Sequence, residues 1–173
     1  LNIDPAIAGS LVGTYWFLML IGRLIGGAVG AKVSSKAMLS TVSITGLVLV
    51  IAAIFAPVEK EVVMPVFRSN ISFGLESVPV NIMFLVLCGL CTSVMWGGIF
   101  NLAVEGLGKY TAVASGIFMV MVCGGGILPA VQAFIADTFS YMQSYWIIVA
   151  ALAYLLFYAL AGSKNVNKNI PVE

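Results

Sequence analysis

The chain has 173 residues, a net charge of +1 and only 9% charged side chains, with a mean hydropathy of +1.11. A soluble domain carries roughly 25% charged residues, so water cannot be the main solvent for these surfaces and the chain belongs in a lipid bilayer. The near-neutral charge leaves no basic patch for nucleic acid, and the absence of histidine removes the commonest ligand of a metal site.

A bilayer core about 30 Å thick needs roughly 20 apolar residues of helix. Five runs meet that length, at 10–32, 37–57, 80–104, 111–136 and 144–162. They are too long for strands, and barrel strands would alternate apolar and polar residues. The expected fold is all-α, a polytopic transmembrane helical bundle with its membrane part over 1–162.

The chain opens with Leu1-Asn2-Ile3-Asp4-Pro5. That start has no initiator methionine and no basic stretch of a signal peptide, and it reads as the interior of a longer protein. In the first run, Tyr15-Trp16 lie where an aromatic belt would fall. Arg23 follows in Gly22-Arg23-Leu24-Ile25-Gly26-Gly27, about 12 Å along the helix from its end. A charge at that depth is a functional candidate. It either snorkels to the headgroups or, with glycines allowing close approach, faces a partner helix. The short segment 31–36, with Lys32 and Lys36, makes the first two spans a tight hairpin.

Residues 58–79 hold charges of both signs and prolines at 65 and 79. They read as an outside loop that could carry a helical turn on the surface. The third run contains Cys88 and Cys91, whose spacing matches a redox or zinc motif. Without further ligands they read as small apolar packing residues. Trp96, near mid-membrane beside Gly97 and Gly98, suggests an aromatic wall facing a cavity, with the glycine pair permitting a local bend. Asn101 needs a partner in lipid, either a substrate hydroxyl or a neighbouring helix. Glu105 and Lys109 are spaced for an i, i+4 salt bridge, and Gly106 and Gly108 read as helix stops.

The fourth run carries Gly124-Gly125-Gly126-Ile127-Leu128-Pro129, which marks a hinge or a tight crossing. Gln132 then places an amide inside the membrane, suited to sugar hydroxyls or to an interhelical bond. A short turn at 137–143 and the last span lead to a polar tail at 163–173. With the first span running inward, Arg23, Lys32, Lys36, Lys109, Lys164 and Lys168 collect inside, and only Lys60 and Arg68 outside. The positive-inside rule therefore places the N-terminus outside and the tail in the cytoplasm. The runs hold no nucleophile–base pair, metal cluster or deep acid pair of the kind a membrane enzyme needs. No cofactor is expected.

Residues 95–111 (Met95-Trp96-Gly97-Gly98-Ile99-Phe100-Asn101 through Glu105-Gly106-Leu107-Gly108-Lys109-Tyr110-Thr111), with Ala114-Ser115-Gly116, the Gly124–Pro129 stretch, Gln132 and Asp137, carry a family pattern. Together with Tyr15-Trp16 and Ile21–Gly26 it resembles the fucose/glucose–galactose permease branch of the major facilitator superfamily. The resemblance covers nearly the whole chain and implies that the five spans correspond to helices eight to twelve of a twelve-helix transporter. It implies uptake of a hexose (glucose, galactose or fucose) by proton symport with alternating access, in a bacterial inner membrane. Sodium is the other coupling ion to consider. The coupling carboxylates would lie in an N-terminal half that this chain does not contain. By the resemblance Trp96 falls at an aromatic cavity position, Arg23 at the eighth-helix arginine and Gln132 at an eleventh-helix amide. Together with the reading of the residues themselves, Trp96, Asn101 and Gln132 are the sugar-binding candidates, and Arg23, Gly97, Gly98, Gly125 and Pro129 the candidates for the conformational change. Lys32 and Lys36 fall in the superfamily's basic gating loop, whose usual Asp-Arg pair is missing here. A transporter of another solute in the same superfamily and a non-transporting scaffold are the competing readings.

Overall fold

The computed structural model describes residues 4–68 and 71–164. Five helical stretches among them are long and apolar enough to cross a membrane. The first is α1, Pro5–Gly30. It begins five residues before the expected span because Asp4 caps it, its carboxylate accepting the Ala6 amide at 2.7 Å, and Pro5 fits the first helical position. Helix α2, Ser35–Phe55, starts at the Ser34 cap, whose hydroxyl accepts the Ala37 amide at 3.3 Å.

Between α2 and the next helix the chain forms a β-hairpin, β1 Glu61–Phe67 and β2 Phe73–Pro79, paired antiparallel from Glu61↔Pro79 to Phe67↔Phe73. The helical turn expected in this connection is thereby corrected to a hairpin. Met64 and Val66 alternate with exposed residues along β1, the period of a half-buried strand. Met64, Val66 and Val78 bury with Leu11 of α1 and Val86 of the following helix. Thr14 fixes the hairpin to α1 by accepting the Phe67 amide at 2.8 Å, and the Phe17 and Phe67 rings stack at 5.2 Å.

Helix α3, Val80–Val104, is the hub, and its three faces have three uses. Gly89, Ser93 and Val94 meet α1: a Cβ on Gly22 would strike Ser93, and one on Gly26 would strike Val94. Cys88, Cys91, Met95 and Leu102 form the core with Leu39 and Val50 of α2 and Leu152 of the last span. The third face, with Trp96 and Phe100, turns to the fourth span. Helix α3 is continuous through Gly97 and Gly98. Gly98 serves close packing, since a Cβ there would lie 3.4 Å from that of Leu39.

The turn after α3 uses left-handed backbone at Gly106 (φ 76°) and Gly108 (φ 50°), where glycine carries no Cβ penalty. Because α3 ends at Val104, the helical i, i+4 spacing expected for Glu105 and Lys109 does not apply. The fourth span is broken into α4, Thr111–Met121, and α5, Gly124–Thr138. The break falls at Val122–Cys123, where the amides of Val122, Cys123, Gly125 and Gly126 each bond a carbonyl three residues back. It thus precedes the glycine triplet, and Pro129 lies within α5. The last span comprises α6, Tyr141–Ser144, α7, Trp146–Phe157, and a π-helical turn, Tyr158–Gly162. The bundle has a hairpin end and, opposite it, a far end where α1 and α3 stop and α2 begins. Of the tail, only Ser163 and Lys164 are described; Lys168 and its neighbours lie outside the described residues.

Candidate functional site

Trp96 sits two-thirds along α3 and is 46% exposed. Its ring meets Phe118 of α4 edge-on at 5.2 Å, and Phe100, one turn on, meets the same ring at 5.4 Å. Such edge-to-face pairs follow the quadrupoles of the rings. They make a three-ring cluster between α3 and α4 and leave part of the indole open. A Cβ on Gly97 would touch nothing within 4 Å, so this side of α3 is uncovered among the described residues.

The other candidate residues are not gathered around Trp96. Asn101 lies at the far end, donating to the Ser35 hydroxyl at 3.5 Å, a long contact between α3 and α2. Gln132 is half-buried on α5 and makes no hydrogen bond among the described residues. Helix α5 packs mainly on α6. Arg23 is exposed on α1, while the adjacent Gly22 and Gly26 turn to α3. Those glycines therefore bring α1 to α3, and the guanidinium points elsewhere. Gly124, Gly125 and Gly126 have open space where a Cβ would stand, so the described residues make no tight crossing there. Lys36 donates to the Leu160 carbonyl at 3.1 Å, tying α2 to the last span. Lys32 is exposed beside it in sequence.

One polar pair was not singled out by sequence. Tyr15 and Thr92 share a hydrogen bond of 3.0 Å between α1 and α3. Thr92 lies close enough to the carbonyls of Cys88 and Gly89, at 3.2 and 3.3 Å, to spend its own proton there. The phenol then donates, and its oxygen is left as an acceptor. The pair borders a cavity of about 410 Å³ also lined by Tyr145, Val50 and Cys88. The belt-like position of Tyr15 hid this role; a threonine next to Cys91 and one turn from Cys88 in an apolar run was the available signal.

Five helical stretches long and apolar enough to cross a membrane define a multi-pass helical membrane protein. Within that class the chain is similar to the glucose/galactose transporters of two strains of Brucella abortus, each 28% identical over 170 residues. A provisionally named glucose/galactose transporter of Helicobacter pylori is 25% identical over 170 residues. These alignments cover 94–95% of this chain but 36–37% of the relatives, so the chain spans little more than a third of their length. All are named as transporters, not as enzymes. No protein-family model matches the chain, and no solved structure matches it.

Proposed function

We propose that the chain is the C-terminal part of a secondary active sugar transporter that takes up a hexose, glucose/galactose or fucose, by proton symport with alternating access. The observation that carries this reading is the alignment of nearly the whole chain with proteins named glucose/galactose transporters. Transporters of this kind bind substrate near the midplane, between repeats that rock against each other. The open indole of Trp96, backed by Phe118, is suited to stack on the weakly apolar C–H face of a pyranose. Gln132 would supply an amide to sugar hydroxyls. Asn101, beside Ser35, is better placed to hold the far end closed than to meet sugar. Arg23, Lys32, Lys36, Gly97, Gly98, Gly125 and Pro129 would serve the conformational change, the broken fourth span acting as its hinge. The N-terminal half would complete the cavity and carry the coupling carboxylates. The membrane would be the bacterial inner membrane, with the far end in the cytoplasm.

The test is uptake of labelled glucose, galactose and fucose by transporter-deficient bacteria expressing the full-length protein, with and without a protonophore. Uptake should collapse with the protonophore. Trp96→Ala should lower it about 10-fold or more at unchanged expression, on the scale of losing one stacking aromatic. Full expression without uptake of any of the three sugars would shift the reading to another solute of the same superfamily.

A further inference from the structure

At the far end, the start of α2, the end of α3 and the end of the last span border an open cavity of about 860 Å³. Its lining is rich in unspent hydrogen-bond donors. Lys36 gives one N–H to the Leu160 carbonyl, and an ammonium has three. Ser34 accepts from the Ala37 amide and Ser35 from the Asn101 amide. Each hydroxyl therefore keeps its own proton for another acceptor, and Asn101 keeps a second N–H. Lys164 enters the same lining from the last span. Glu105 is the one acidic residue of the lining, and it already has an interaction partner. Two ammonium groups against one carboxylate leave a net positive cavity.

We propose that this cavity binds a phosphate group, supplied by the headgroup of an anionic phospholipid. A phosphate diester offers acceptor oxygens and no donors, which complements this lining. The cavity lies where the apolar runs stop, the depth at which headgroups sit, and it has room for glycerol beside the phosphate. Binding there would bridge α2 to the last span next to the Lys36–Leu160 tie. The site does not depend on which solute the protein carries.

The experiment has two arms on the full-length protein in detergent. Native mass spectrometry counts phosphatidylglycerol adducts, and equilibrium dialysis with labelled inorganic phosphate measures free-anion binding. Lys36→Gln and Lys164→Gln should each weaken binding about fivefold, the usual effect of one basic residue near anionic headgroups. Glu105→Gln should tighten it by a similar factor. Opposite signs from single substitutions cannot arise from misfolding, and Lys164, exposed in the last turn, can be changed without disturbing a helix. This pattern in the lipid arm confirms the site and its source. The same pattern in the inorganic phosphate arm alone confirms the phosphate site and assigns it to the free anion. Equal binding by wild type and all three variants in both arms overturns the proposal.

Discussion

Ser43 and Thr14 are both buried hydroxyl residues inside apolar helices, and their surroundings give them opposite values. Thr14 donates to the Ser10 carbonyl at 2.7 Å and accepts the Phe67 amide at 2.8 Å, so its oxygen is satisfied and holds the hairpin. Ser43 is 0% exposed on the α2 face that carries Leu39 and Gly46, and its hydroxyl has no hydrogen-bond partner among the described residues. A buried hydroxyl without a partner carries a desolvation penalty of about 1–3 kcal/mol. Removing one oxygen leaves too little space to act as a cavity. Ser43→Ala is therefore expected to raise stability by about 1 kcal/mol, seen as an upward shift of the thermal midpoint of the full-length protein in detergent. A clear drop in that midpoint would show that the hydroxyl is bonded after all. Nothing in the sequence separates these two residues, because the partner that decides for Thr14 is 53 positions away.

The same limit applies to helices and strands, though less severely. The five apolar runs were legible because length and hydropathy are local properties, and the observed helices occupy them. The Gly22-to-Gly26 spacing was legible as a close-approach surface, but its partner was not. Contact with Ser93 and Val94 is set by how α1 and α3 cross. Gly22→Leu is expected to wedge those helices apart at about 1–3 kcal/mol, the usual effect of overpacking. Gly27→Leu, where nothing lies within 4 Å, is the matched control and should leave the thermal midpoint near wild type. Equal losses from both would mean that the loss follows from changing the helix itself, not from the crossing. The hairpin was missed because Pro65 and Pro79 argue against a central strand, yet both strands of a two-stranded sheet are edges, where proline is tolerated. The irregular stretch in the fourth span was placed at the glycines, and the tightened backbone runs from Val122 into them, through Gly126. The candidate site was the least legible part. Trp96 was singled out by its depth in an apolar run, while Asn101 was read as needing either a sugar hydroxyl or a neighbouring helix, and its contact with Ser35 is of the second kind. Five residues along a helix turn it onto another face, toward Ser35.

For the molecule as a whole, the proposed orientation rests on where its charges lie. Lys32, Lys36, Lys109 and Lys164 cluster around the far end, and Arg23 lies two turns from it along α1. The hairpin end carries Asp4, Glu59, Glu61, Glu76 and Asp137 against Lys60 and Arg68, and Arg68 is neutralised by Glu76 at 2.5 Å. Under the proposed orientation, which follows the positive-inside rule, the far end lies in the cytoplasm. The hairpin must stand clear of the hydrocarbon on whichever side of the membrane it lies. Its strands have open edges, and open sheet edges do not occur facing lipid within the hydrocarbon region. At 26 residues, α1 is about 39 Å long, enough to cross a core of about 30 Å and still raise its first turns, with the hairpin packed on them, toward water. Ile71, 83% exposed at the hairpin tip, should then be reachable from outside the cell. In a full-length protein with Cys88, Cys91 and Cys123 replaced, Ile71→Cys should react with a membrane-impermeant maleimide in intact bacteria. Lys164→Cys should react only after permeabilisation. The reverse pattern would put the basic end outside, so that the lysine-lined cavity would meet the outer leaflet and the broken fourth span would have to open toward the opposite side.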